Sequence, residues 1–230
     1  MLVGISLKTY FSIQHIQAAA YFSRRTSRLE RQHPTGTTSG AVRVVSRGYV
    51  STTLFTAVAF LEALAGELYA DADLPDGGHL ATLEPKTRQL IAEIGLVESV
   101  EKSPVMSKFD LLLRAANREP VERGTSPAQD VATMIRLRNE LVHYKAAWFD
   151  VGTEGEVRPG NLMESKLVQQ IRGRFSPRAG SSGGLEADSW MGSGCTQWAV
   201  RSTIEYSDLM FARLRVVPTY EHVRHFLSPA

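Results

Sequence analysis

Between Ile135 and Lys145 the chain carries an Arg138-Asn139 pair followed, five residues after the arginine, by His143. Arginine and histidine together suit metal-free phosphodiester chemistry on RNA. An imidazole moves protons near neutral pH, while a guanidinium grips phosphate oxygens. Arg138, Asn139 and His143 are therefore the candidate catalytic residues, with Arg136, Tyr144 and Lys145 as candidate RNA contacts. The expected step is internal attack of a ribose 2′-hydroxyl on the adjacent phosphate. His143 would act as general acid or base, Arg138 would stabilise charge on the phosphorane oxygens, and Asn139 would orient the imidazole or bond a phosphate oxygen. The products would be a 2′,3′-cyclic phosphate and a 5′-hydroxyl, and DNA would be inert for want of the 2′-hydroxyl.

Helical geometry qualifies this picture. At about 100° per residue Asn139 and His143 stack one turn apart, whereas Arg138 and His143 are separated by about 140° around the axis. Two motif helices packed about a two-fold axis would let Arg138 and His143 of both subunits converge in one cleft, so a homodimer with a composite site is expected. The same residues have a purely structural reading: Arg136 and Glu140 as an i, i+4 ion pair, His143 compensating the helix dipole, and Tyr144 as an amphipathic aromatic at a helix end.

The elements that must position these residues read as helices almost throughout. A first helix is expected over 6–32, stopped by His33-Pro34. The longest runs over about 42–70, with Phe55, Val58, Leu61, Leu64 and Leu68 at three- and four-residue steps, and ends where Pro75 and Gly77-Gly78 break helical geometry. A third is expected over 86–99. Ser103-Pro104 and Ser126-Pro127 read as N-caps followed by proline at the first helical position, the second launching the motif helix over about 127–148. Beyond it come a loop over 150–160, a short helix over 162–171, a Gly/Ser-rich flexible segment over 174–194, and a last long helix over 195–215. The fold class is all-α, a bundle of five or six principal helices. The chain divides into a basic helix and loop (1–40), a core holding the motif (42–148), a loop-rich insertion (149–194) and a C-terminal helical segment (195–227), all within one domain.

Composition narrows the function classes. The 230 residues, 43% hydrophobic and 22% charged, are ordinary for a globular domain. No run of about 18 apolar residues and no export signal is read, and the single cysteine, Cys195, rules out an intrachain disulfide and fits a reducing compartment, the cytoplasm. Residues 1–48 hold seven basic groups against one acid, Glu30, in a chain whose net charge is only +2. Arg24, Arg28 and Arg31 recur at helical spacing, either a solvated face or a stripe for a phosphate backbone.

The long helix with Phe60-Leu61-Glu62-Ala63-Leu64 and Glu67-Leu68-Tyr69, followed by Arg138-Asn139-x-x-x-His143 on a helix entered from Ser126-Pro127, resembles the HEPN (higher eukaryotes and prokaryotes nucleotide-binding) superfamily. The Cys195-Thr196-Gln197-Trp198-Ala199 helix is similar to C-terminal helices of some of its members. The resemblance covers about 42–148 in outline and 195–215 more loosely. It implies an all-α, usually dimeric fold and a metal-independent endoribonuclease marked by Arg, a polar residue and His. Such an enzyme would be the toxin or effector of a microbial toxin-antitoxin or anti-phage system, held by an antitoxin or partner protein. A non-catalytic helical module that binds nucleotide, RNA or protein through the same groove is the alternative. Where the resembled family carries a modifiable tyrosine two residues after the His, this chain has Lys145, with Tyr144 immediately after His143.

Other constellations imply no cofactor. His222 and His225 are three apart but have no accompanying acids, and no GxxxxGK[ST] or GxGxxG pattern occurs. Glu62 and Glu67 could pair with Arg138 or Arg136 across the bundle, read as structural ion pairs in preference to catalytic acids, while Cys195 is expected to be a core or N-cap residue and Trp148, Trp190 and Trp198 to serve packing.

Overall fold

The computed structural model describes residues 9–34, 40–143, 149–151, 157–159, 169–178 and 190–230. Its helices are α1 (Phe11–Gln32), α2 (Gly40–Ala72), α3 (Pro85–Gly95), α4 (Glu98–Glu101), α5 (Val105–Ala115), α6 (Ala128–Val142) and α7 (Ser193–Leu214), with 3-10 turns at Gly78–Leu80 and Glu221–Phe226. The fold is an all-α bundle, and the six longer helices among the described residues agree with the helix count read from the periodicity. The expected loop over 150–160 contains a small antiparallel ribbon instead, β1 (Phe149–Val151) against β2 (Val157–Pro159), with Val151 opposite Val157.

The 33-residue helix α2 is the axis of the bundle, packing against α1, α3, α5, α6 and α7. A helix surrounded in this way must be apolar over most of its circumference. Val50, Leu54, Ala57, Val58, Phe60, Leu61, Leu64 and Leu68 are all buried, on more than one face. Phe55, read from spacing as a core position, is instead 39% exposed, because the buried stripe runs through its neighbour Leu54. By length and composition α2 could also cross a bilayer, although half of its most apolar stretch is buried among its neighbours.

Helix α1 meets this axis through small side chains. Its buried face is Ser12, Ile16, Ala19, Ala20, Ser23, Thr26 and Ser27, which lets neighbouring helices approach closely. The hydroxyls are satisfied: Ser23 Oγ lies 3.1 Å from Thr196 Oγ1 and 2.9 Å from the Pro229 carbonyl, and Gln197 Nε2 donates to Ser27 Oγ at 3.1 Å. Arg24 donates to the Phe226 and Ser228 carbonyls, so one arginine of the basic stripe anchors the C-terminal segment. Arg28 and Arg31 are exposed.

Two helix starts lack caps of their own and take one from another helix. Neither Tyr10 before α1 nor Gly192 before α7 supplies a side-chain cap. At α1 the Ser12 N–H donates to Glu67 Oε1 at 2.9 Å and its hydroxyl to Glu67 Oε2, from α2. At α7 the Ser193 N–H donates to Glu30 Oε1 at 2.8 Å and its hydroxyl to Glu30 Oε2, from α1. A carboxylate at a helix N-terminus satisfies orphan amides and complements the dipole. Glu67 is thus a cap rather than a partner of Arg136 or Arg138. Glu62 also departs from that expectation, pairing with Lys108 at 3.0 Å, because α5 rather than α6 packs beside it.

The proline starts also differ from the sequence reading. Pro104 is extended (φ −55°, ψ 140°) and stands at the N-cap of α5, while Ser103 Oγ donates back to the Val100 carbonyl at 2.8 Å. Pro127 likewise precedes α6, and Ser126 Oγ donates to Asp130 Oδ2 at 2.6 Å. Proline at the first helical position is found instead at Pro85 of α3. The helix expected over 86–99 breaks at Leu96-Val97 into α3 and α4. In the segment expected to be flexible, Phe175 packs against Trp198 (5.3 Å between centroids) and Arg174 pairs with Asp130. Residues 179–189, most of the expected 162–171 helix, and Trp148 lie outside the described residues.

The C-terminal segment closes one end of the core. Tyr220 is fully buried, edge-on to Phe60 (5.5 Å) and Phe211 (6.0 Å), and its hydroxyl donates to Asp208 Oδ1 at 2.7 Å. Arg224 grips the same carboxylate with two nitrogens, at 3.0 and 2.7 Å. Buried apolar residues from Ile16 to Leu227 form one cluster. Cys195 is fully buried in it, and burial pushes its thiol up, away from the reactive thiolate.

Two expectations follow. Glu30→Ala removes a carboxylate bonded to an otherwise uncapped helix start and should lower stability by about 1–3 kcal/mol in urea denaturation. Gly194→Ala should do the same, since a Cβ there would lie 2.2 Å from the Ser176 carbonyl oxygen. Tyr10 and Tyr69 are pushed up to about 12, both chiefly by burial, with Asp71 adding at Tyr10, and burial also pushes Tyr206 and Tyr220 up. Because the fold favours these protonated phenols, stability should be fully present below the ordinary tyrosine pKa of about 10 and fall as pH rises toward 12. Phenolate absorbance should show these four of the seven tyrosines still protonated where exposed phenols ionise.

Candidate functional site

Helix α6 is held by one face and open along the other. Ala128, Val131, Met134 and Leu137 are buried, and Ile135 and Leu141 pack against the core from its edge. Thr203 of α7 lies 3.5 Å from the Met134 sulfur, and the start of α6 is tied down by the ion pair between buried Asp130 and Arg174. The opposite face presents Arg136, Asn139, Glu140 and His143 to solvent. These recur at steps of three and four, so they form one continuous strip over two turns.

His143 is the C-cap of α6, where its backbone N–H donates to the Asn139 carbonyl at 2.8 Å. The helix thus ends six residues short of the expected Trp148, and the imidazole stands exposed one turn above Asn139. A histidine here can interact with the negative end of the helix dipole in its protonated form. Val142 beside it is 51% exposed, an apolar side chain at the rim of an otherwise polar strip.

Arg138 is placed differently. It is half-buried on the flank of the helix, and its Nε is sealed from solvent without a hydrogen-bond partner. No side-chain hydrogen bond joins Arg138, Asn139 and His143 to one another; the link between Asn139 and His143 is the backbone bond of the helix end. The 140° separation read from helical geometry therefore persists: one chain brings Asn139 and His143 onto one face and leaves Arg138 beside it. Arg136 does share the His143 face, and its Nη1 donates to Gln170 Oε1 at 3.2 Å rather than pairing with Glu140. The carboxylate of Glu140, four residues on, is left to solvent. Tyr144 and Lys145 lie outside the described residues.

Elsewhere, among the described residues, no three His, Cys, Asp or Glu side chains converge where a metal ion could be held. His225 of the candidate His pair stacks on Phe226, with ring centroids 3.9 Å apart. Sequence reading missed Asp130, Gln170 and Arg174, which brace the motif helix through contacts more than 30 residues apart. Ser126 and Asp130 were the available signal: a hydroxyl and a carboxylate four residues apart at a helix start.

Compared with known proteins, the chain matches no family model, no curated protein and no solved structure.

Proposed function

We propose that this chain is a metal-independent endoribonuclease of the HEPN type, the effector of a microbial toxin-antitoxin or anti-phage system acting in the cytoplasm. The observation that carries the reading is the open last turn of α6. Asn139 and His143 stand there exposed and stacked, engaged in no ion pair among the described residues, with a cationic side chain on the adjoining flank. His143 would move the proton to or from the ribose or leaving-group oxygen, and Arg138 would meet the developing charge on phosphate. Since Arg138 and His143 diverge around the helix axis, a working site takes Arg138 from one subunit and His143 from the other in a homodimer. Exposed Val142 at the strip's rim suits such a contact. Arg136 and, through the chain that follows, Tyr144 and Lys145 would hold the RNA, and an antitoxin would cover the same strip.

One observation favours a second reading. The Nε of Arg138 is buried, so part of its guanidinium belongs to the helix flank rather than to an open cleft. A non-catalytic module binding RNA, nucleotide or a protein partner through the exposed strip would need no more of Arg138 than that.

The deciding experiment is cleavage of an RNA pool in EDTA by wild type, Arg138→Ala and His143→Ala, with the product ends mapped. Wild type should leave 2′,3′-cyclic phosphates and spare matched single-stranded DNA, and each variant should lose about 100-fold or more. Mixing the two variants should restore part of the activity, because a mixed dimer rebuilds one composite site. Intact RNA with dimeric wild type would move the assignment to the binding module. Activity in both variants equal to wild type would remove these residues from the chemistry.

A further inference from the structure

We infer that the chain holds a second, separate site: a cavity that binds the phosphate group of a small phosphorylated molecule between Arg118 and Arg215. The cavity has a volume of about 430 Å³ and is lined by Thr82, Glu84, Thr87, Asn117, Arg118 and Arg215 among others. That volume lies within the range of small-molecule sites, about 300–1,000 Å³, and exceeds what a bare phosphate fills.

The cavity forms where two helix ends and one helix start meet. Helix α5 closes with Arg118 N–H donating to the Leu113 carbonyl (2.8 Å) and Asn117 N–H to that of Arg114 (2.9 Å). Helix α7 closes in the same way, Val216 N–H to Phe211 (3.1 Å) and Arg215 N–H to Ala212 (3.2 Å). This ending places one residue in the left-handed region, a position that ordinarily belongs to glycine. Asn117 (φ 55°) and Arg215 (φ 60°) occupy it, and among the described residues they are the two non-glycine residues with positive φ. Both face one cavity. Asparagine tolerates the conformation, but arginine is strained there, so a fold needing only a helix stop would be better served by glycine. What Arg215 adds at that position is its guanidinium.

The charges support the same assignment. Neither Arg118 nor Arg215 forms an ion pair among the described residues, and Arg118 Nε is buried with no hydrogen-bond partner. The one carboxylate in the wall, Glu84, is exposed and engages neither of them. Nearby Arg213 differs, being consumed by the Glu119 and Pro120 carbonyls. Two arginines from different elements thus line one cavity, neither paired with a carboxylate among the described residues, and the planar forks of their guanidiniums match phosphate oxygens. The Thr82 and Thr87 hydroxyls add neutral donors, and the amides at the start of α3 supply the positive end of a helix dipole.

The test is calorimetric titration of the full chain with inorganic phosphate, pyrophosphate, AMP and, as the phosphate-free control, adenosine, at constant ionic strength. Saturable binding of AMP with none of adenosine is expected, and tighter binding of AMP than of inorganic phosphate would identify a nucleotide-sized ligand rather than free phosphate. Arg118→Gln and Arg215→Gly should each weaken binding about tenfold or more. Arg215→Gly should at the same time raise Tm by about 2 °C, since it relieves the left-handed arginine. That opposition between stability and binding separates a ligand site from a helix stop. Failure of all three phosphate compounds to bind at millimolar concentration, or unchanged affinity in both variants, would overturn the assignment. The readout does not involve Arg138, His143 or RNA cleavage, so it stands or falls apart from the nuclease reading.

Discussion

The bundle depends on two carboxylates that each finish a helix other than their own. Glu67 of α2 receives the amide and hydroxyl of Ser12 in the first turn of α1, and Glu30 near the end of α1 receives those of Ser193 at the start of α7. An uncapped helix start leaves several N–H groups needing partners, and burying them unpaired would cost a few kcal/mol each. Supplying the cap from a neighbour makes each helix start conditional on correct packing. The order α2, α1, α7 is thereby enforced by polar chemistry as well as by apolar burial. Gly192 and Gly194 follow from the same constraint, because a Cβ on Gly192 would lie 2.6 Å from Glu30 Oε1 and one on Gly194 would strike the Ser176 carbonyl.

Helix α6 inherits its position from this frame. It lies against α2 and α7 through four buried apolar residues, and its start is pinned by Asp130 and Arg174. Its fully buried residues and its ion pair lie in its first three turns, and the last turn adds the edge contact of Leu141 while Asn139 and Glu140 stay exposed. The residues capable of chemistry are therefore at the least constrained part of a well-held helix. Such an arrangement suits a surface that completes itself against a second copy, an RNA or a partner protein.

The cavity between Arg118 and Arg215 arises from the same economy of helix ends. Two helices stop beside each other with the same hydrogen-bond pattern, and both use side-chain-bearing residues where glycine would serve. The result is a polar, cationic pocket at the surface of an apolar bundle, built from segments far apart in the chain.

Much of this was legible in the residues. Three- and four-residue apolar steps mark the helices, and Pro75 with Gly77-Gly78 marks the end of α2, because local sterics decide where a helix can run. The angular separation of Arg138 and His143 also follows from sequence, since helical geometry sets it before any packing occurs. The periodicity did not separate Leu54 from Phe55, because a helix packed on several sides has no single apolar stripe. Nor did it reveal that Glu67 caps α1, that Asp130 meets Arg174, or that Arg118 and Arg215 share a cavity. Sequence by itself determined the helical class and the face on which each side chain emerges, because backbone propensity and a 3.6-residue period act locally. Which charges meet was decided only by tertiary structure, because those partners lie 44 to 97 residues apart and are brought together by the way the helices pack.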